Sequence, residues 1–345
     1  MYKFADKLET MEPYDPIQGE YEIRLDANES FIKTGYDIIV QGLRSVDLNR
    51  YPDPYAKKLI RTYCDYYGVD NNLVTAGNGS DELISIITAC FLQKKDKVLC
   101  FSPDFSMYAF YSVLYELEVI AAPKRSDLTI DVDEAIDKIN SENIQAVLFS
   151  NPCNPTSLGL KKSDVIRLIR SVNALVVLDE AYMDFWDESE SLIKETEEFD
   201  NLIVLRTCSK ALGMAAIRLG FAISNKKITE KLRAVKSPYN VNTMTQSVAE
   251  YLLCDKQAVT ERIRLCKSSR AELYSGLTSL NSPFFEEIYP SVTNFVFIKT
   301  SRAKEIFDFL LTKSIAVRCM GNYLRITAGS KEENKAVLDA LKEFN

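Results

Sequence analysis

Between residues 72 and 225, short apolar runs alternate with longer stretches whose apolar positions recur every three or four residues. The runs at 73–75, 98–101, 146–150, 174–178, 202–206 and 219–224 have the length and the Val/Ile/Leu content of strands. The stretches 82–91, 105–115, 132–140 and 163–172 read as helices. Continuous apolar strands separated by helices predict an α/β fold, a mostly parallel sheet covered on both faces. Beyond residue 240 the pattern changes to a long helical stretch through 250–278, a strand at 292–300, a helix at 303–312, strands at 315–318 and 323–327, and a closing helix at 331–344. That order predicts a smaller α+β domain. The first thirty-odd residues show little periodicity and are expected to form an arm on the C-terminal domain or on another subunit. The expected boundaries are 1–34 for the arm, 35–242 for a large domain and 243–345 for a small one.

Composition narrows the chemistry. The 345 residues carry 42 basic and 49 acidic side chains with no block of one sign, so nucleic acid is not an expected partner. Uncharged apolar stretches such as 83–92 and 105–115 fall well short of the roughly 20 residues a membrane span needs. Residues 1–13 include Asp6, Glu9 and Glu12 and do not resemble a signal peptide, so a cytoplasmic location is expected. None of the eight cysteines forms a C-x-x-C pair, which predicts reduced thiols. There is no histidine, and its absence removes every His-based triad, zinc site and imidazole acid/base mechanism. Catalysis must therefore rest on Lys, Asp/Glu, Tyr or Cys, or on a cofactor; no metal site is expected.

In an open parallel sheet, ligands collect beyond the carboxyl ends of the strands. The first strand is followed by Gly77-Asn78-Gly79-Ser80-Asp81-Glu82, a turn opening a helix whose N–H groups and dipole favour an anion; an ordinary cap by Asn78 or Ser80 is the plain alternative. The third is followed by Asn151-Pro152-Cys153-Asn154-Pro155-Thr156, a non-helical turn. The fourth is followed by Asp179-Glu180-Ala181-Tyr182, placing at the end of a buried strand a carboxylate for which a cationic partner is expected. The fifth is followed by Thr207-Cys208-Ser209-Lys210-Ala211-Leu212-Gly213, with Arg218 eight residues past the lysine. Each segment alone has an ordinary structural explanation. Their coincidence at one sheet edge suits pyridoxal 5'-phosphate, which needs a lysine for a Schiff base, an acid for its pyridine nitrogen and an anion site for its phosphate.

The same motifs in the same order resemble the fold-type I pyridoxal-phosphate aminotransferases. Pro13-Tyr14, Leu25-Asp26-Ala27-Asn28-Glu29, Asn49-Arg50-Tyr51-Pro52-Asp53, Ser237-Pro238-Tyr239-Asn240-Val241-Asn242 and Tyr323-Leu324-Arg325-Ile326-Thr327 extend the resemblance to the histidinol-phosphate branch of that family. The resemblance implies that Lys210 holds the cofactor and Asp179 its pyridine nitrogen. Asn154 and Tyr182 would bond the ring oxygen, with Phe105 stacked on the ring where many relatives carry a tyrosine. Ser80, Asp81, Ser209 and Arg218 would take the phosphate, joined by Tyr51 of a neighbouring subunit, so a homodimer is implied. Arg325, helped by Arg318, Tyr14 and Asn28, would bind substrate. Cys153 and Ser157 replace the Asn and Gly usual in their turn. The implied reaction moves an amino group from L-histidinol phosphate to 2-oxoglutarate, with Lys210 as the base, its pKa depressed by desolvation and by Arg218. A threonine-phosphate decarboxylase, an aromatic aminotransferase or a catalytically inactive binding protein on the same scaffold are the competing readings.

Overall fold

The computed structural model describes residues 2–13 and 16–344. After a short strand β1 (Ile23–Arg24) come β2 (Val74–Gly77), β3 (Lys97–Ser102), β4 (Glu118–Pro123), β5 (Ala146–Ser150), β6 (Leu175–Asp179), β7 (Leu202–Thr207) and β8 (Gly220–Ser224). The last seven form one sheet in the order β2-β8-β7-β6-β5-β3-β4, parallel except for β8, which runs against both its neighbours. Successive residues of each strand enter opposite cores. Leu99, Val147, Val176 and Val204 pack with the helices Lys57–Tyr67, Val132–Ser141, Lys162–Ser171 and Thr243–Cys254. Val98, Leu148, Val177 and Ile203 pack with Gly79–Cys90, Met107–Leu114 and Lys226–Val235. Two buried faces explain why these strands are continuously apolar rather than alternating.

Strand β4 was not among the expected elements. It is the sheet edge, and only Ala122 of its short run Val119–Ala122 is buried. The helical stretch at 250–278 is two helices, Thr243–Cys254 and Lys256–Ser279. Asp255 divides them, its carboxylate accepting from the Ala258 N–H and so capping the second helix.

The C-terminal part adds β9 (Glu287–Ile288), β10 (Phe295–Lys299), β11 (Ile315–Ala316), β12 (Arg318–Met320) and β13 (Tyr323–Thr327). Four of these form an antiparallel sheet, β12-β13-β10-β9, packed with the helices Ala303–Thr312 and Lys331–Glu343 around Val296, Leu310, Leu324 and Val337. The N-terminal segment divides between two sites. The one-turn helix Asp6–Thr10 lies against Met107–Leu114 rather than on the C-terminal part, with the Lys7 ammonium donating to the Leu114 carbonyl at 2.9 Å. Further along, β1 pairs in parallel with β11 and Leu25 enters the C-terminal core.

Candidate active site

The rung Gly77–Gly220–Thr207 joins β2, β8 and β7 at one end of the sheet and brings together the segments that follow or precede them. The helix Gly79–Cys90 starts directly after β2. Gly79 has φ +80°, and a Cβ there would lie 2.7 Å from Nη2 of Arg218. A Cβ on Gly220 would lie 2.5 Å from the Ser80 backbone nitrogen. Side chains are excluded at both positions, so the helix start and Arg218 close on one another. Arg218 sits 3.1 Å from Asp81 Oδ2 and donates to Ser209 Oγ at 3.4 Å. Asn78 precedes the helix without capping it through its side chain. The helix start, two hydroxyls and a guanidinium form an anion cradle, in which Asp81 is the acid that Arg218 now holds.

Asp179 ends β6 and lies beside Ser150 of β5 in the rung register. Its carboxylate is 3% exposed and accepts from the Tyr108 hydroxyl at 2.9 Å and the Ala181 N–H at 3.1 Å. Burial pushes its pKa up to about 7. The cation expected for the Asp-Glu pair goes to its neighbour: Arg206 reaches Glu180 at 3.1 Å and Asp184 at 2.9 Å. No ion pair to Asp179 occurs among the described residues. Glu180, just past the end of β6, does not line the cleft, so its pair with Arg206 leaves Asp179 there without an ion pair.

Lys210 is half-buried and donates to the Ala27 carbonyl at 2.8 Å. Burial, then the Arg325 charge, bring its pKa down to about 8; Arg218 contributes less than Arg325, a different weighting from the one expected. The Tyr182 hydroxyl accepts from the Asn28 amide at 2.9 Å, and burial pushes its pKa up to about 12. Asn28, at φ +55°, is pinned to Thr327 of β13 through its N–H and side chain. Arg325 of β13 donates to Asn154 Oδ1 and to the Asp26 carbonyl, both at 2.6 Å, and lies over the Phe295 ring. Arg318 stands directly across from Arg325 in the antiparallel pair β12–β13, so two guanidiniums point the same way.

These groups surround one cleft of about 490 Å³. Ser80, Asp81, Phe105, Asn154, Asp179, Tyr182, Ser209, Lys210, Arg218, Asn28, Arg318 and Arg325 all line it. Tyr51 does not: it is 81% exposed and stacked on Tyr239 at 4.5 Å. Tyr14 lies outside the described residues. Sequence reasoning missed Tyr108, whose hydroxyl holds Asp179, and Asp104, which lines the cleft beside it. Tyr108 sits inside a stretch read only as an apolar helix face, and Asp104 carried no motif; the one available signal was its position just past the end of β3.

The donor set fits pyridoxal phosphate: an unpaired buried carboxylate for a cationic ring nitrogen, an amine of lowered pKa, and an anion cradle at a helix start. A family model described as aminotransferase class I and II matches residues 22–341. The chain is 40% identical to a histidinol-phosphate aminotransferase of Clostridium novyi, covering 99% of this chain and 97% of that protein. It is 34% identical to one of Pyrococcus furiosus, covering 98% and 97%. Among solved structures, histidinol-phosphate aminotransferase from Sinorhizobium meliloti in complex with pyridoxal-5'-phosphate superposes with a TM-score of 0.90 at 21% identity, covering 99% and 97%. L-threonine-O-3-phosphate decarboxylase from Porphyromonas gingivalis superposes at 0.79 and 23%, covering 93% and 99%. The anion cradle, the free carboxylate and the lysine at one sheet edge thus coincide with a family match over nearly the whole length: the chain belongs to the class I and II aminotransferases.

Proposed function

We propose that the protein transfers the amino group of L-histidinol phosphate to 2-oxoglutarate with pyridoxal phosphate as the carrier. The observation that carries the cofactor reading is the pairing of Lys210 with an unpaired, buried Asp179 in one cleft. The substrate reading rests on the full-length similarity to histidinol-phosphate aminotransferases and on the arginine pair Arg318 and Arg325, which suits a phosphate-ended substrate.

When bound, the cofactor supplies an aldehyde for amines and a ring that withdraws electrons from the substrate Cα. Asp179 keeps the ring nitrogen protonated. Tyr182 and Asn154 face the ring oxygen, and Phe105 covers the ring. The backbone N–H groups of Ser80 and Asp81 at the helix start, with Ser209 and Arg218, would hold the phosphate. Lys210, with its pKa near 8, is neutral in a useful fraction near neutral pH and moves the proton at Cα. Arg325 and Arg318 fix the substrate phosphate, with Asn28 beside it.

A homodimer completes the site, with Tyr51 of the partner subunit reaching the cofactor phosphate. The exposed, stacked rings of Tyr51 and Tyr239 support this arrangement, because apolar side chains left open together mark a contact surface. The domain scheme 1–34, 35–242 and 243–345 places the cofactor on the large domain and the arginine pair on the small one.

The test is product analysis of the purified protein with L-histidinol phosphate, 2-oxoglutarate and cofactor. Glutamate formed in step with substrate loss, and abolished by Lys210→Ala, is the expected result. Carbon dioxide release from a phosphoamino acid without glutamate would move the activity to decarboxylation and defeat the proposal.

A further inference from the structure

A second carboxylate, Asp104, lines the cleft beside Asp179 and is already matched by a buried cation. Asp104 follows β3 and Lys124 follows β4, two strands whose last rung is Ser102–Pro123, so both residues leave the sheet at one level. Their side chains are only 2% and 1% exposed, with Lys124 Nζ 3.6 Å from Asp104 Oδ2. The ammonium also donates to the buried Cys153 sulfur at 2.8 Å. Burial works against the charged amine, and the Cys153 sulfur and Asp104 outweigh it, holding Lys124 protonated.

The other oxygen of Asp104 faces the backbone of the site. It accepts from the Phe105 N–H at 2.8 Å, the Ser150 N–H at 3.3 Å and the Ser150 hydroxyl. Ser150 Oγ in turn accepts from the Asn154 N–H at 3.0 Å. One buried ion pair therefore fastens the backbones of Phe105 and Asn154, the two residues assigned to the face and the oxygen of the ring. Five carboxylates line the cleft, Asp26, Glu29, Asp81, Asp104 and Asp179; Lys124 takes Asp104, which leaves Asp179 buried and without an ion pair among the described residues.

We propose that Lys124 and Asp104 are positioning residues, a buried ion pair that braces the loops carrying Phe105 and Asn154 and so sets the ring site before the cofactor arrives. The inference rests on the cofactor reading above for its purpose and on the hydrogen-bond chain for its geometry. Removing one member of a buried pair leaves an uncompensated charge, whereas removing both is often close to neutral. Coupling between the two substitutions is thus the signature of a brace, and independent losses are the signature of ordinary packing.

The test uses the full chain as wild type, Lys124→Met, Asp104→Asn and the double variant. Two readouts are taken: hydrogen exchange of residues 103–108 and 150–156 in cofactor-free protein, and the dissociation constant for pyridoxal phosphate. Lys124→Met should speed exchange in both segments and weaken cofactor binding, each by about tenfold or more, and the double variant should recover most of both losses. Wild-type exchange and affinity in Lys124→Met would overturn the brace, as would a double variant whose losses simply add. Should Lys124→Met fail to fold, Ser150→Ala keeps the ion pair and removes the hydroxyl that joins Asp104 to the Asn154 N–H. It should speed exchange in 150–156 alone and weaken cofactor binding, and no change in either would overturn the proposal. Wild-type protein that takes up no cofactor would defeat the proposed function, while the exchange data would still decide the brace.

Discussion

Replacing Asp179 by asparagine should stabilise the cofactor-free protein while ruining the enzyme. The carboxyl is buried, held by Tyr108 and Ala181, and raised from its ordinary 3.8 to about 7. That displacement corresponds to about 4 kcal/mol against the folded state once the group is ionised. The asparagine keeps an oxygen for the Ala181 N–H but turns its amide toward Tyr108, whose proton loses an acceptor at a cost of about 1 kcal/mol. The net gain is about 3 kcal/mol at pH 8. The sign follows from proton uptake: between the unfolded pKa and the folded value near 7 the native carboxyl keeps a proton that the unfolded chain releases, so wild-type stability falls as pH rises through that window. The advantage of Asp179→Asn should accordingly shrink to under about 1 kcal/mol at pH 5. Urea denaturation of both proteins without cofactor at the two pH values measures it. An asparagine variant less stable than wild type at pH 8, or an advantage independent of pH, would refute the assignment of Asp179 as an uncompensated charge awaiting a cationic ring. With cofactor bound the order should reverse, and turnover of the variant should fall by orders of magnitude.

Three further outcomes follow from the geometry. Gly220→Ala drives a Cβ into the Ser80 nitrogen and should weaken binding of pyridoxal phosphate far more than that of pyridoxal, whereas equal weakening would place the phosphate elsewhere. The rate at which cofactor-free protein captures the cofactor aldehyde should rise with pH around a midpoint near 8, since only the neutral Lys210 amine reacts; a midpoint at or above 10 would contradict the site's effect on that lysine. Arg325→Gln removes the charge that ranks second in lowering Lys210 and should move that midpoint upward while raising KM for the phosphate substrate, both read from pH profiles of the variant.

Much of the site was legible because its parts follow strands with unmistakable patterns. The apolar runs of β5, β6 and β7 located Asn154, Asp179 and Lys210 at one edge before any contact was known. What stayed hidden was pairing across the chain. The cation expected for Asp179 belongs to Glu180, which Arg206 reaches from the neighbouring β7, while Asp179 alone of the two lines the cleft. Lys124 carries no motif, yet it is buried against residues 20 and 29 positions away in sequence, and no local periodicity reports that. Edge strand β4, in which Ala122 alone is buried, was not read from its short run Val119–Ala122. The facing of Arg318 and Arg325 required the register of β12 on β13, which a one-residue slip would have undone.

The measurement that bears most directly on the central claim is a half-reaction. Cofactor-loaded protein is mixed with L-histidinol phosphate alone, and the visible absorption of the bound cofactor is followed beside the amount of ketone formed. The account predicts loss of the visible band, one ketone per cofactor, and full return of the band on adding 2-oxoglutarate. A band that persists in the presence of L-histidinol phosphate, while another amino compound discharges it, would contradict the proposed substrate.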